Sequence, residues 1–136
     1  MSRKLLHTLW FAISLSIACF AARADGIDGP DMYVYIDVSA REITLEGMRQ
    51  RLALLQSSEY SAETDDAIDS QTRLQIADVY VQFATTPAAH AAYGTRQGER
   101  IEAWLNENPD WKNRYATLDS QFRSLSDQLS ASRRTQ

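Results

Sequence analysis

The chain has 136 residues, 44% hydrophobic, 10% aromatic and 24% charged, with a formal net charge of −4 at pH 7. That composition excludes disordered, collagen-like and multi-span membrane chains, and the length holds one small domain.

Arg3 and Lys4 precede a run from Leu9 to Phe20 that is apolar apart from Ser14 and Ser16 and closes on Ala22-Arg23-Ala24. A basic start, a short apolar stretch and a small-x-small site predict a secretory signal over residues 1–24, cleaved before Asp25. The apolar run rises about 18 Å as helix, short of a hydrocarbon slab of about 30 Å, so cleavage is favoured over a permanent span. Leu15-Ser16-Ile17-Ala18-Cys19 resembles a loose lipoprotein box, with Ser16 where that motif usually carries Leu. Lipidation at Cys19 and an uncleaved anchor are therefore the alternatives to a free periplasmic protein.

Cleavage leaves 112 of the 136 residues and removes Arg3, Lys4 and Arg23 but no acid, so 11 basic residues face 18 acidic ones, a net charge of −7. Such a surface repels phosphate backbones and excludes nucleic acid as a partner. Cleavage also removes His7 and Cys19, leaving His90 as the single histidine and no cysteine. Disulfides, cysteine catalysis and structural zinc lose their ligands.

Residues 25–31 carry two glycines and a proline and read as a flexible leader, with a helical domain over 32–129. Asp25, Asp28 and Asp31 lack the alternating acids and closing Glu of a calcium loop. Tyr33 to Val38 alternates in the manner of a strand, with Val34, Ile36 and Val38 on one side and Tyr33, Tyr35 and Asp37 on the other. Ile43-Thr44-Leu45 is its candidate hairpin partner, but Ser39-Ala40-Arg41-Glu42 suits a capping box better than a tight turn. A helix is predicted from Ala40 to Gln56, with Leu45, Met48, Leu52 and Leu55 on one face and Gly47 weakening it.

A second helix is predicted from Ser61 or Thr64 to near Thr86, striped by Ile68, Thr72, Ile76, Val79 and Phe83. Thr86-Pro87 starts a third, which Gly94 and Gly98 either break into Pro87–Tyr93 and Gln97–Glu107 or open to the close approach of another helix; the break is preferred. Asn108-Pro109 starts the last helix. Its Trp111, Tyr115, Leu118, Phe122, Leu125 and Leu129 form a heptad seam, with i,i+4 pairing expected for Asp110/Arg114, Asp119/Arg123 and Arg123/Asp127. Residues 130–136 should fray. The predicted fold is an all-α, small antiparallel bundle of about four helices, with an α+β arrangement using a strand or hairpin at 33–45 as the alternative.

No residue pattern assigns a catalytic role. His90 sits among alanines with no nucleophile motif around it, and Gly94-Thr95-Arg96-Gln97-Gly98 lacks the lysine and hydroxyl of a nucleotide loop. Glu59, Glu63, Asp65, Asp66 and Asp69 read as a dipole-favoured helix start rather than a metal site. No cofactor or metal is implied. The aromatic residues are the remaining signal: Trp104, Trp111 and Tyr115 bracket the Asn108-Pro109 corner, with Tyr93 and His90 nearby in the chain. An exposed part of that cluster, or the face of Tyr33 and Tyr35, is the candidate groove for a protein or peptide. An extended Tyr33–Val38 without a second strand would also pair with another chain, as in a homodimer. The expected function is a non-enzymatic periplasmic protein-binding module of the adaptor, chaperone-like, inhibitor or immunity type. A small-ligand or lipid carrier using the bundle interior, and a hydrolase with an unrecognised site, are the alternatives.

Overall fold

The computed structural model describes residues 26–134, so the signal expected over 1–24 and the lipidation expected as its alternative at Cys19 lie outside the described residues. Five helices follow one another: α1 (Pro30–Gln56), α2 (Ala62–Gln82), α3 (Pro87–Arg96), α4 (Gly98–Glu107) and α5 (Pro109–Arg134). The protein is an all-α helical bundle, and no strand occurs among the described residues.

The strand expected at Tyr33–Val38 is instead the start of α1, a 27-residue helix. At about 100° per residue Val34 and Val38 fall on one side and Ile36 on nearly the opposite one. All three are buried, because α1 contacts each of the other four helices. A helix enclosed on two sides imitates the every-second-residue pattern of a strand. With the helix already running from Pro30, the Ser39–Glu42 stretch is helix interior with no free terminus to cap, and Glu42 pairs with Arg114 of α5. The backbone donors of 33–38 are used within α1, which removes the basis for strand addition and for the homodimer built on it. The leader is also shorter than expected, since Gly29 is the N-cap, Pro30 opens the first turn and Ile27 already touches the core.

Two stripes run along α1. Val34, Val38, Leu45, Leu52 and Leu55 join Leu118, Leu125 and Leu129 of the α5 seam, with Tyr93 and Ile101, in one core cluster. On the other side Gly47 lies against Thr72 of α2, and Arg51 grips Asp65 with two 2.7 Å hydrogen bonds. These contacts descend along α2 as they ascend along α1, so the two helices are antiparallel. The α5 contacts ascend together with α1: Tyr35 meets Trp111, Asp37 meets Tyr115, and Arg49 meets Gln121. Thus α5 runs beside α1 in the same direction, with the α3–α4 corner reversing the chain at the N-terminal end of α1.

The helix ends follow local chemistry. Ser61 accepts from the Thr64 amide and Thr86 from the Ala89 amide, both at 3.1 Å, so both predicted starts are caps. α2 stops four residues earlier than expected because Ala84 turns left-handed at φ 49°. Its amide donates to the Val81 carbonyl and that of Thr85 to Tyr80, each at 3.0 Å, closing the helix with a Schellman turn. The expected break occurs, but at Gln97, with α3 running through Gly94 to Arg96; close approach holds for Gly94 alone, which meets the ring of Tyr33, since a Cβ at Gly98 would meet nothing within 4 Å.

The expected i,i+4 ion pairs of α5 do not form. Arg114 pairs with Glu42 and Asp119 with Arg41, since α1 supplies opposite charges alongside, and Arg123 donates to the Asp119 carbonyl. Helix α5 continues to Arg134, past the predicted fraying point. Among the described residues, no helix is long and apolar enough to cross a membrane.

Candidate functional site

The seven candidate aromatic and histidine residues fall into three groups at one end of the bundle, around the first turns of α1. The first is an internal stack. His90 of α3, 5% exposed, lies flat on Tyr33 with ring centroids 4.2 Å apart and 7° between planes, and Tyr80 of α2 meets it edge-on at 5.6 Å. Its Nε2 donates to the Tyr33 carbonyl at 3.1 Å, because a carbonyl only accepts. Tyr93 covers Tyr33 at 5.6 Å, and its buried hydroxyl has no hydrogen-bond partner among the described residues. Tyr33, His90 and Tyr93 therefore hold α3 onto α1 and present little surface. Burial, then the charge of Asp37, pushes the Tyr33 and Tyr80 hydroxyls above the ordinary phenol range.

The second group ties α1 to α5. Tyr115 donates to Asp37 Oδ2 at 2.7 Å, Arg41 Nε donates to the same oxygen at 2.9 Å, and the Arg41 guanidinium lies over the Tyr115 ring, 5.2 Å from its centroid. Arg41 also reaches Asp119 at 3.0 Å. Burial, followed by the hydrogen bond to Asp37, holds the Tyr115 hydroxyl far above its usual value. The group is a part-buried polar clamp with Asp119 at its exposed edge.

The third group is open. Tyr35, Trp104 and Trp111 line a surface groove of about 350 Å³ together with Asp31, Met32 and Phe83. Tyr35 is half exposed. The rings lean on one another: Tyr35 and Phe83 at 5.5 Å and 57°, Tyr35 and Trp111 at 6.1 Å and 61°, Trp104 and Trp111 at 6.3 Å and 48°. Arg114 stacks over Trp111, 5.5 Å from its centroid. Four elements build this groove: the first turns of α1 and α5, the residue closing α2, and the last turn of α4. The Asn108 corner fixes two of the walls, since its side-chain amide donates to the Trp104 carbonyl at 2.7 Å while its own carbonyl accepts from Trp111 at 3.1 Å.

Sequence reading thus found three of the groove's rings and missed Met32, Phe83 and Asp31. Phe83 already sat on the α2 stripe, and Met32 and Asp31 become visible once 30–56 is read as one helix. The pairing of Asp37 with Arg41 at i,i+4 was hidden by the same misreading. Of the acidic group, Asp65 is held by Arg51 and Asp69 by Arg73. Among the described residues, no three His, Cys, Asp or Glu side chains converge to hold a metal ion. No protein-family model, curated protein or solved structure matches this chain.

Proposed function

We propose that this chain is an exported, periplasmic, non-catalytic helical module that binds another protein through the groove of Tyr35, Phe83, Trp104 and Trp111. The observation that supports this reading is an open, aromatic-walled groove, fixed by helix termini from four elements and rimmed by a carboxylate. Rigid amphipathic rings contribute large contact area at low entropic cost, which is why Trp and Tyr dominate binding hot spots. The sequence signal over residues 1–24 supports export.

The test is photo-crosslinking in periplasm with a photoreactive residue at position 35, comparing wild type with Trp104→Ala and with Leu74→Ala, a control on the exposed outer face of α2. A discrete adduct that Trp104→Ala abolishes and Leu74→Ala retains supports the reading. An adduct that depends on Leu74 instead moves the site to α2.

A further inference from the structure

Resting on the reading of the groove as a partner site, we propose that the side chain it receives is an arginine of the partner protein. The walls are aromatic and the rim is acidic. Asp31 has no hydrogen bond or ion pair among the described residues, although it lines the groove. The two nearest cations of α5 are committed elsewhere: Lys112 Nζ donates to Asn106 at 2.7 Å, and Arg114 pairs with Glu42. A seated partner made only of hydrocarbon would strip water from the Asp31 carboxylate without replacing its interactions, at a cost in affinity.

A cationic side chain offsets that loss in two ways, by pairing with Asp31 and by lying on ring faces whose quadrupoles attract positive charge. Arginine suits the groove better than lysine. A lysine ammonium is a compact, strongly hydrated point charge that must shed its water to enter between aromatic walls. A guanidinium is flat and weakly hydrated, stacks on aromatic faces and pairs with a carboxylate along its edge. The molecule already uses this contact twice within itself, with Arg114 over Trp111 and Arg41 over Tyr115. A volume of about 350 Å³ lies at the small end for a ligand site and matches one inserted side chain more closely than a large ligand. The net charge of −4, which becomes −7 without residues 1–24, draws a basic partner surface to this one.

The test titrates the full chain with N-acetyl-arginine N-methylamide, its neutral isostere built on citrulline, and the leucine derivative. The indole N–H resonances of Trp104 and Trp111 report binding, assigned through Trp104→Phe and Trp111→Phe. The expected result is a saturable shift of both indoles with the arginine compound and about tenfold weaker binding of the citrulline compound. Asp31→Asn should weaken arginine binding about two- to fivefold at an unchanged unfolding midpoint, and Asp31→Glu should restore it.

Equal binding of the citrulline or leucine compound overturns the arginine assignment and leaves the groove as an apolar seat. Indoles that respond to none of the three, while the crosslinked adduct still needs Trp104, overturn it as well. If that adduct is also independent of Trp104, the groove reading falls with it. Indole shifts that follow protein concentration with nothing added place a second copy in the groove and likewise overturn the proposal.

Discussion

Tyr115 of α5 donates a 2.7 Å hydrogen bond to Oδ2 of Asp37 in α1, joining residues 78 positions apart in the chain. Asp37 is part-buried and also receives Arg41, so Tyr115→Phe removes one of the two donors to a single carboxylate oxygen. A hydrogen bond to a charged group contributes about 1.5–3 kcal/mol. Tyr115→Phe should therefore lower unfolding stability by about 1–2 kcal/mol, measured by urea titration at pH 7. A loss below about 0.3 kcal/mol would mean that Arg41 alone satisfies Asp37.

The phenols of the clamp and of the internal stack predict an alkaline limit. Burial holds Tyr115, Tyr33 and Tyr80 above the ordinary phenol value of 10.0 in the folded chain. A raised folded pKa on a group that ionises to an anion stabilises the fold fully below the unfolded pKa and loses that contribution as pH rises past it. The thermal midpoint should stay level up to about pH 9 and fall above about pH 10. Tyr115→Phe should start from a lower midpoint and fall less steeply, because one of the three linked phenols is gone.

Gly47 sets the spacing of α1 and α2. A Cβ at this position would stand 3.0 Å from Thr72 Cγ2 and 3.2 Å from Thr72 Cβ, tighter than ordinary carbon–carbon contact, so Thr72 would have to shift. Alanine gains about 1 kcal/mol of helix propensity over glycine, so an exposed position would be stabilised by the change. Here overpacking against a stiff, β-branched neighbour should reverse the sign, and Gly47→Ala should destabilise by about 1–2 kcal/mol. Thr72→Ala in the same chain should recover part of that loss, and a double-mutant cycle measures the coupling.

Helices α2 and α5, the later part of α1, the caps at Ser61 and Thr86 and the break near Gly98 were legible, because each is written in local chemistry: Ser61, Thr86-Pro87 and the seam of α5. The start of α1 was not. Its apolar residues answer to neighbours on two sides, and Ile36 opposite Val34 and Val38 has the period of a strand for reasons that only the tertiary arrangement supplies. The groove was half legible, since Trp104 and Trp111 flank one corner in sequence, whereas Phe83 and Asp31 arrive from helix ends far away in the chain. Charge pairing was the least legible, because the partners of Arg114 and Asp119 lie on α1 and cannot be chosen from α5 alone.

Arg51 and Asp65 form the best-aligned ion pair, with side chains 26% and 15% exposed and both guanidinium bonds at 2.7 Å. The hydrogen bonds from Arg51 hold the Asp65 carboxyl below its ordinary value of 3.8 against the opposing effect of burial. A depressed carboxylate stabilises the fold above its unfolded pKa, and that contribution disappears as pH falls through the folded value. Arg51→Met should cost about 1–2 kcal/mol at pH 7, and its difference from wild type should shrink below about pH 3.5, where acid titration of the fold reads it.

Ala84 occupies the position after the α2 cap where glycine is favoured, at φ 49°. Its amide bond to Val81 and the Thr85 bond to Tyr80 require the left-handed turn, so the backbone bears the strain that an alanine Cβ imposes there, about 1–2 kcal/mol. Glycine removes that strain but gains freedom in the unfolded chain worth about 0.5–1 kcal/mol. The two effects leave a net gain, and Ala84→Gly should raise stability by about 0.5–1 kcal/mol, seen as a higher urea midpoint at unchanged slope. A fall in the midpoint would show that the Ala84 methyl contributes packing that outweighs the strain. The prediction bears on the groove as well, since Phe83, the cap residue itself, forms one of its walls. A variant that relaxes the turn without moving Phe83 should stabilise the chain while leaving the Trp111 indole resonance where it is.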